Sequence, residues 1–412
     1  MEKYHGLKSY YYKYRDPADY QALVEKRQDN ELAMHTGLIM SPLVREFRNH
    51  VQYEIFLLPA PQILKLSEEI YSISLDIEIR LKQLTEFAQD QLFYNSLIEE
   101  LYSTNDIEGV RSSRQEISDT VDRLKRNDVG SVRFAGLVKL YENFQKEKYS
   151  SIHNVKDFRE IWNELVSSEV APEDQPDGEL FRKSAVKIVS GDKIIHRGDE
   201  DEQAIITDLN RLIAEMNNED LPYLPKCFLA HYYFEYIHTF YDGNGRVGRF
   251  IVCAYLARKL DRMSAIQFST SIAKQRQSYY KAFNEMSNQY NQGEGTNFVI
   301  SMMKLLKAGQ IDVIEQLDEG IHLLHKSRKV LDQHNLTEIN KEILFVLCQK
   351  EIFGRRLSAI TDSDLSMMFN LTRYKLNKML DDLVQQGLIE VKKTNPKTHV
   401  LTKKIIEEIF FY

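Results

Sequence analysis

His238-Thr239-Phe240-Tyr241-Asp242-Gly243-Asn244-Gly245-Arg246-Val247-Gly248-Arg249 is the stretch on which the reading of this chain turns. A Gly-Asn-Gly turn frees successive backbone N–H groups to point at one place, which makes an anion nest. The apolar run Phe250-Ile251-Val252-Cys253-Ala254-Tyr255-Leu256 that follows reads as a helix. The nest then sits at a helix N-terminus, where free amides and the macrodipole favour phosphate. Arg246 and Arg249 are spaced i, i+3 and share one face of that helix. Two guanidiniums suit two phosphates of a nucleotide tail. Asp242 is a hard oxygen ligand beside the nest, which suits Mg²⁺ shared with those phosphates. His238 lies just upstream and is the side chain most often used as a base near neutral pH. The plain alternative is a polar cluster that only caps a helix. A lone Gly-x-Gly would warrant it; the grouping of nest, histidine, acid and paired arginines does not.

Upstream, Lys226–Ile237 is apolar nearly all round, so this helix should be central, with His231 as a packing histidine. A helix through Leu97–Tyr102 continues into Ser103-Thr104-Asn105-Asp106-Ile107-Glu108-Gly109. Thr104 and Glu108 are i, i+4 neighbours there, and Gly109 is a plausible C-cap. By itself that is an ordinary helix end. Residues 154–170 and 204–217 also read as helical. Between them, β-branched residues flank the Ser190-Gly191-Asp192 turn and predict a hairpin over Ala185–Arg197. His196 reads as an exposed loop histidine. Downstream of the signature, Tyr279-Tyr280 can offer an aromatic face, with core packing as the other reading.

The signature resembles that of the Fic family, H-x-F-x-[DE]-G-N-G-R-x-x-R, at every specified position. Many members carry Pro after the His, where this chain has Thr239. The resemblance implies transfer of AMP from ATP to a Ser, Thr or Tyr hydroxyl of a protein, self-modification included. His238 would take the hydroxyl proton and Asp242 would hold Mg²⁺. Gly243, Asn244 and Gly245 would cradle the phosphates, and the turn Arg246-Val247-Gly248-Arg249 would hold the tail. Phe240 would anchor the loop in the core. Thr104 through Gly109 is similar to the family's inhibitory pattern, [ST]-x-x-x-E-[GN], lying N-terminal to the core. Glu108 would then salt-bridge Arg249 and block productive ATP binding. The hairpin with Val189, Ser190, Gly191 and Ile194 would be the flap that clamps the target by backbone pairing. The Pro pair many members carry after it is absent. Tyr280 would line the nucleoside, and Asn288 would contact base or ribose. The phosphotransferase branch of the family puts Lys where this chain keeps Gly245, which favours AMP over phosphoryl or phosphocholine transfer. Removal of AMP by the same site, with Glu108 orienting water, is a further alternative, as is a transcription regulator using the core as a nucleotide sensor.

The chain has 412 residues, enough for two or three domains. The resemblance covers about 97–305. It leaves an N-terminal helical region over 1–96, a connecting helix over 306–335 and a C-terminal piece over 336–412. The fold expected is mainly α. Much of 1–90 reads as helical, most clearly in the stripe Ile63, Leu66, Ile70, Ile73, Ile77, Leu81 and Leu84. The C-terminal piece reads as three helices and two strands and looks like a winged helix-turn-helix domain. Thr372 caps its third helix, and Leu376, Met379, Leu380 and Leu383 form the apolar stripe. Over 353–404, ten Lys and Arg stand against five Asp and Glu, an excess of +5 in a chain of net charge −7. Arg373, Lys375 and Lys378, with Lys392 and Lys393 near the wing, are therefore candidates for DNA contact. The alternative is protein contact. Bulk charge favours neither nucleic acid nor an anionic membrane. Three scattered cysteines suggest no disulfide framework. With no apolar leader and no run of membrane-spanning length, the expectation is a cytoplasmic protein. A protein substrate and a second copy of the chain are its expected partners.

Overall fold

The computed structural model describes residues 4–410 apart from 15, 45, 127–131, 149–151, 356 and 358, together with the Ser190 backbone but not its side chain. The protein is mainly helical, with four separate two-stranded antiparallel sheets among the described residues. It divides into two units. One gathers the described residues of Met1–Leu75, Glu100–Ser112 and Ser131–Ile311; the other gathers those of Asp76–Glu99, Ser113–Gly130 and Asp312–Tyr412.

At the centre of the first unit, helix Tyr223–Ile237 packs against helices Asn244–Lys259 and Glu202–Asn217. The all-round apolar character of 223–237 has its physical counterpart here. Phe228, Leu229, Tyr233 and Ile237 are fully enclosed, and each buried side chain of this size contributes about 1.5–3 kcal/mol. Helix 244–259 also touches helices Ala135–Gln145 and Val155–Leu165. The last of these begins with a capping box in which Asn154 and Asp157 satisfy each other's backbone amides.

The expectation of a largely helical 1–90 fails over 34–57. Strands Met34–Met40 and Tyr53–Leu57 pair there, with a register shift between His35 and Ile39. Gly37, at φ +67°, sits in that irregularity and interrupts the two-residue alternation that would have revealed a strand. The stripe from Ile63 does lie on a helix, Pro61–Leu81, although Leu84 falls beyond its end. The predicted hairpin is present as Lys187–Ser190 paired with Lys193–Arg197, turning at Gly191 and Asp192.

In the second unit the C-terminal piece consists of helices Glu338–Phe353, Asp362–Met368 and Arg373–Gln385 and strands Ile389–Thr394 and Lys397–Leu401. A last helix, Lys403–Phe410, was not expected. Leu376, Leu380 and Leu383 are fully buried, as their spacing requires. A single helix, Thr296–Gln333, belongs partly to each unit. No described helix is long and apolar enough to cross a membrane.

Candidate functional site

The signature loop is built from the inside out. Phe240 is fully buried, stacked on Trp162 at 5.2 Å between ring centroids and edge-on to Phe181 at 5.6 Å. Trp162 Nε1 donates to the Asp242 carbonyl at 2.9 Å. Asn244 closes the loop on itself: its Oδ1 accepts from Phe240 N at 2.8 Å and its Nδ2 donates to Phe240 O at 2.7 Å. Gly243 adopts φ +89°, and a Cβ there would strike Val166 Cγ2 at 2.7 Å. Only glycine meets both conditions. The first helical bond runs from Val247 N to Gly243 O at 3.0 Å, so the amides of Asn244, Gly245 and Arg246 precede it.

A cavity of about 740 Å³ opens over this helix start. Its walls include His238, Asp242, Gly243, Asn244, Gly245 and Arg249 from the signature, and Glu108 from the end of helix Glu86–Ile107. Lys187, Ile188, Val189, Ile195 and His196 of the hairpin, Glu235, and Tyr279, Tyr280, Asn284 and Ser287 also line it, with the aromatic residues Tyr232, Tyr236, Tyr241 and Phe283.

Glu108 is delivered by a helix end of the Schellman type. Val110 N donates to Asn105 O at 2.9 Å and Gly109 N to Asp106 O at 3.2 Å, with Gly109 at φ +71°. The carboxylate Oε1 then lies 2.9 Å from Arg249 Nη2. A Cβ on Gly245 would meet the same oxygen at 2.1 Å. An anion supplied by the chain itself therefore rests on the helix start. Arg249 is fully buried; its Nε donates to Thr104 Oγ1 at 3.0 Å and its Nη2 to Thr104 O at 3.2 Å. Burial is the largest single influence and opposes its charge, but Glu108, Tyr279 and Glu235 together outweigh it and raise the guanidinium's pKa.

Three of the expected residues stand differently from their reading. Arg246 shares the helix with Arg249 but does not line the cavity. It is buried 3.7 Å from Asp242 Oδ2, four residues before it, and 3.3 Å from Glu169 Oε2, a partner that spacing along the helix could not reveal. Asn288 does not line the cavity either: its Oδ1 caps a short turn, accepting from Tyr290 N at 3.0 Å. His196 is no exposed loop residue. It lies half-buried in strand 193–197, its Nε2 is 2.8 Å from Tyr236 O, and its ring centroid is 6.4 Å from that of His238.

Of the tyrosine pair, Tyr279 is buried with its hydroxyl 2.8 Å from His231 Nε2, whereas Tyr280 is 44% exposed and faces the cavity. Val247 and Gly248 lie behind the helix start, and Gly191 turns the hairpin at φ +59° in open space. Ile194 is half-buried; Val189 is exposed at the cavity's edge, and the Ser190 side chain lies outside the described residues. Glu235 and Asn284 escaped the sequence reading. Asn284 follows Tyr280 by four on one helix face, which is the signal that could have found it. Glu235 is the single charged residue of 227–237, three before His238.

Burial, then the charge of Arg182, lowers the His238 ring to about 4, with the Glu235 carbonyl opposing. The ring is thus neutral and free to accept a proton at pH 7. Burial, reinforced by Glu108, pushes the Glu235 carboxyl up to about 8, against the pull of Arg249. His238 itself ends helix 223–237 in the left-handed region, at φ 54° and ψ 62°. A non-glycine residue there costs on the order of 1–2 kcal/mol unless its surroundings hold it.

Asp242 is 48% exposed at its side chain, with Oδ1 accepting from Gly243 N at 2.6 Å. Among the described residues no three His, Cys, Asp or Glu side chains cluster as a metal cage. One open carboxylate beside a phosphate nest fits an Mg²⁺ whose shell is completed by phosphate and water.

Residues 152–256 match the family model Fic/DOC family, so the chain carries a Fic/DOC domain. That segment holds the hairpin, helix 223–237 and the signature, and excludes Glu108 and Tyr280. Among solved structures, a Fic family protein from Desulfovibrio desulfuricans is 19% identical at a TM-score of 0.53, over 84% of this chain and 97% of that one. Fic-1 (aa134–508) from C. elegans is 17% identical at 0.42, over 63% and 75%. A Fic domain containing signaling protein from Bacteroides thetaiotaomicron is 16% identical at 0.41, over 62% and 95%. The first likeness is one of fold.

Proposed function

We propose that this Fic/DOC-domain protein is an autoinhibited protein adenylyltransferase that moves AMP from ATP to a hydroxyl side chain of a protein. The observation that carries the reading is the Glu108 carboxylate, 2.9 Å from Arg249 and seated on the start of helix 244–259. A nest with a buried guanidinium is an anion site, and a tethered carboxylate competes there with a phosphate for the same donors. In the transfer step His238 accepts the proton of the target hydroxyl as its oxygen bonds to the α-phosphorus. The bond from that phosphorus to the bridging oxygen breaks, and pyrophosphate leaves. The amides of Asn244 and Gly245 hold phosphate oxygens in line, which is worth most in a cavity that excludes water. Asp242 would hold Mg²⁺, which supplies charge neutralisation on the phosphates when bound. Tyr280 and Asn284 face the same space and suit the nucleoside. The exposed edge at Val189 suits a target segment added along the hairpin.

The test is transfer from α-labelled ATP into a fixed cell lysate, compared for the parent and Glu108→Gly. Label that rises in the variant and disappears with His238→Ala supports the reading. Equal labelling in all three overturns it. A second role rests on the exposed Arg373, Lys375 and Lys378 of helix 373–385. They stand on the third helix of what we read as a winged helix, where exposed positive charge would suit DNA phosphates.

A further inference from the structure

Arg182 is fully buried, yet among the described residues no carboxylate pairs with its guanidinium in hydrogen-bond contact. Its bonds go to backbone carbonyls. Nε donates to His238 O at 2.8 Å and Nη2 to Ile237 O at 3.3 Å. Nη1 donates to Ser184 O at 2.6 Å and Asp199 O at 2.7 Å. Space for the fork is kept by Gly198, where a Cβ would meet Arg182 Nη2 at 2.6 Å and His238 Cβ at 2.9 Å.

A helix end needs no such device. Its last carbonyls are ordinarily met by water or by a glycine-based turn. Here the residue that ends the helix is a histidine in the left-handed region, which a non-glycine backbone disfavours. Burying a guanidinium is expensive unless its donors are all used. At this point the fold uses two of the four bonds on the peptide groups that flank the imidazole's Cα, and the other two on Ser184 O and Asp199 O.

We infer that Arg182 is a positioning residue for His238: its planar fork, spanning the carbonyls of Ile237 and His238, fixes the backbone that aims the imidazole into the cavity. This rests on the function proposed for His238. A lysine keeps the charge but not the fork, so it cannot bridge both carbonyls in one geometry. The nucleotide nest is held independently by Phe240, Trp162 and Asn244, so loss of the fork should leave it in place. Arg182 also acts on the imidazole as a positive charge, and the His196 ring of the hairpin, 6.4 Å away between centroids, is the titratable group beside it. Its loss should therefore move the ring's titration upward.

The experiment uses the full chain with Arg182→Lys and Arg182→Gln, each first checked for a parent-like thermal transition. Ring signals of His238, identified by their loss in His238→Gln, are followed by NMR against pH. Both variants should shift those signals, and only Arg182→Gln should also raise the midpoint. In the Glu108→Gly background, transfer of label from ATP into lysate protein should fall at least tenfold in kcat for both. The apparent KM for ATP should stay within about twofold. If Glu108→Gly transfers no label, the proposed function fails, and the ring signals alone decide the positioning role. If Arg182→Gln does not fold, Arg182→Lys carries the test. Folded variants with unmoved His238 signals, or with undiminished kcat, overturn the inference.

Discussion

Arg249 and Arg373 carry the same guanidinium in opposite settings. Arg249 is enclosed, with Thr104 and Glu108 taking its donors at 2.9–3.2 Å. Arg373, like Lys375 and Lys378, stands in solvent on helix 373–385, and Tyr374 between them is 80% exposed. A charge is buried only where something repays its desolvation, and for Arg249 that partner is Glu108 at the cavity wall. The exposed charges cost the fold little, so their exposure does not by itself name a partner. The contrast predicts that substitutions in the signature region change chemistry steeply, while those on helix 373–385 leave it alone.

The largest effect expected is that of His238→Ala. It should lower label transfer by about 10²–10⁴-fold, with ATP affinity measured by calorimetry nearly unchanged. Transfer at the parent's rate would remove the base from the site and dissolve the contrast. Glu108→Gly comes next. With one of two competing anions gone, transfer should rise by about tenfold or more, the worth of a charge-assisted pair. The double variant with Arg249→Ala should lose that gain. A double variant as active as the single one would show that the bridge is only a helix end.

Glu235 sharpens the comparison through pH. Its carboxyl is held up to about 8, so it is neutral at pH 7 and ionises as pH rises through 8. Above that point a further negative charge would face the triphosphate. ATP affinity, followed by calorimetry from pH 6.5 to 9, should then weaken by a few-fold, approaching about tenfold per unit in the limit. Glu235→Gln should flatten the curve; a parent curve that is already flat would mean that Glu235 does not meet the nucleotide. The smallest effect is expected from replacing Arg373, Lys375 and Lys378 together by alanine. Transfer should stay within about twofold. If the helix binds DNA, gel shifts should show a salt slope reduced by about three, one for each phosphate no longer neutralised.

The loop and its glycines were legible in the sequence, because an anion nest is a local object. It needs only a few consecutive backbone conformations and the helix that follows. The hairpin at Gly191 was legible for the same reason, as were the all-round apolar character of helix 223–237 and the buried stripe of the C-terminal piece. The strands at 34–57 were not, since the bulge at Gly37 breaks the alternation on which such a reading depends.

What the amino-acid sequence determined by itself was which chemical groups lie near one helix start: His238, Asp242, the nest amides and Arg249. Tertiary structure alone decided their assignments. Spacing makes Arg246 and Arg249 equivalent, yet Glu169, far off in the chain, draws one away while Glu108 meets the other at the cavity. Asn284 rather than Asn288 faces the cavity because the second caps its own turn. Arg182 reaches His238 across 56 residues. Periodicity reports which residues share a face. Which partner a buried charge finds depends on segments brought together by packing, and no local pattern encodes that.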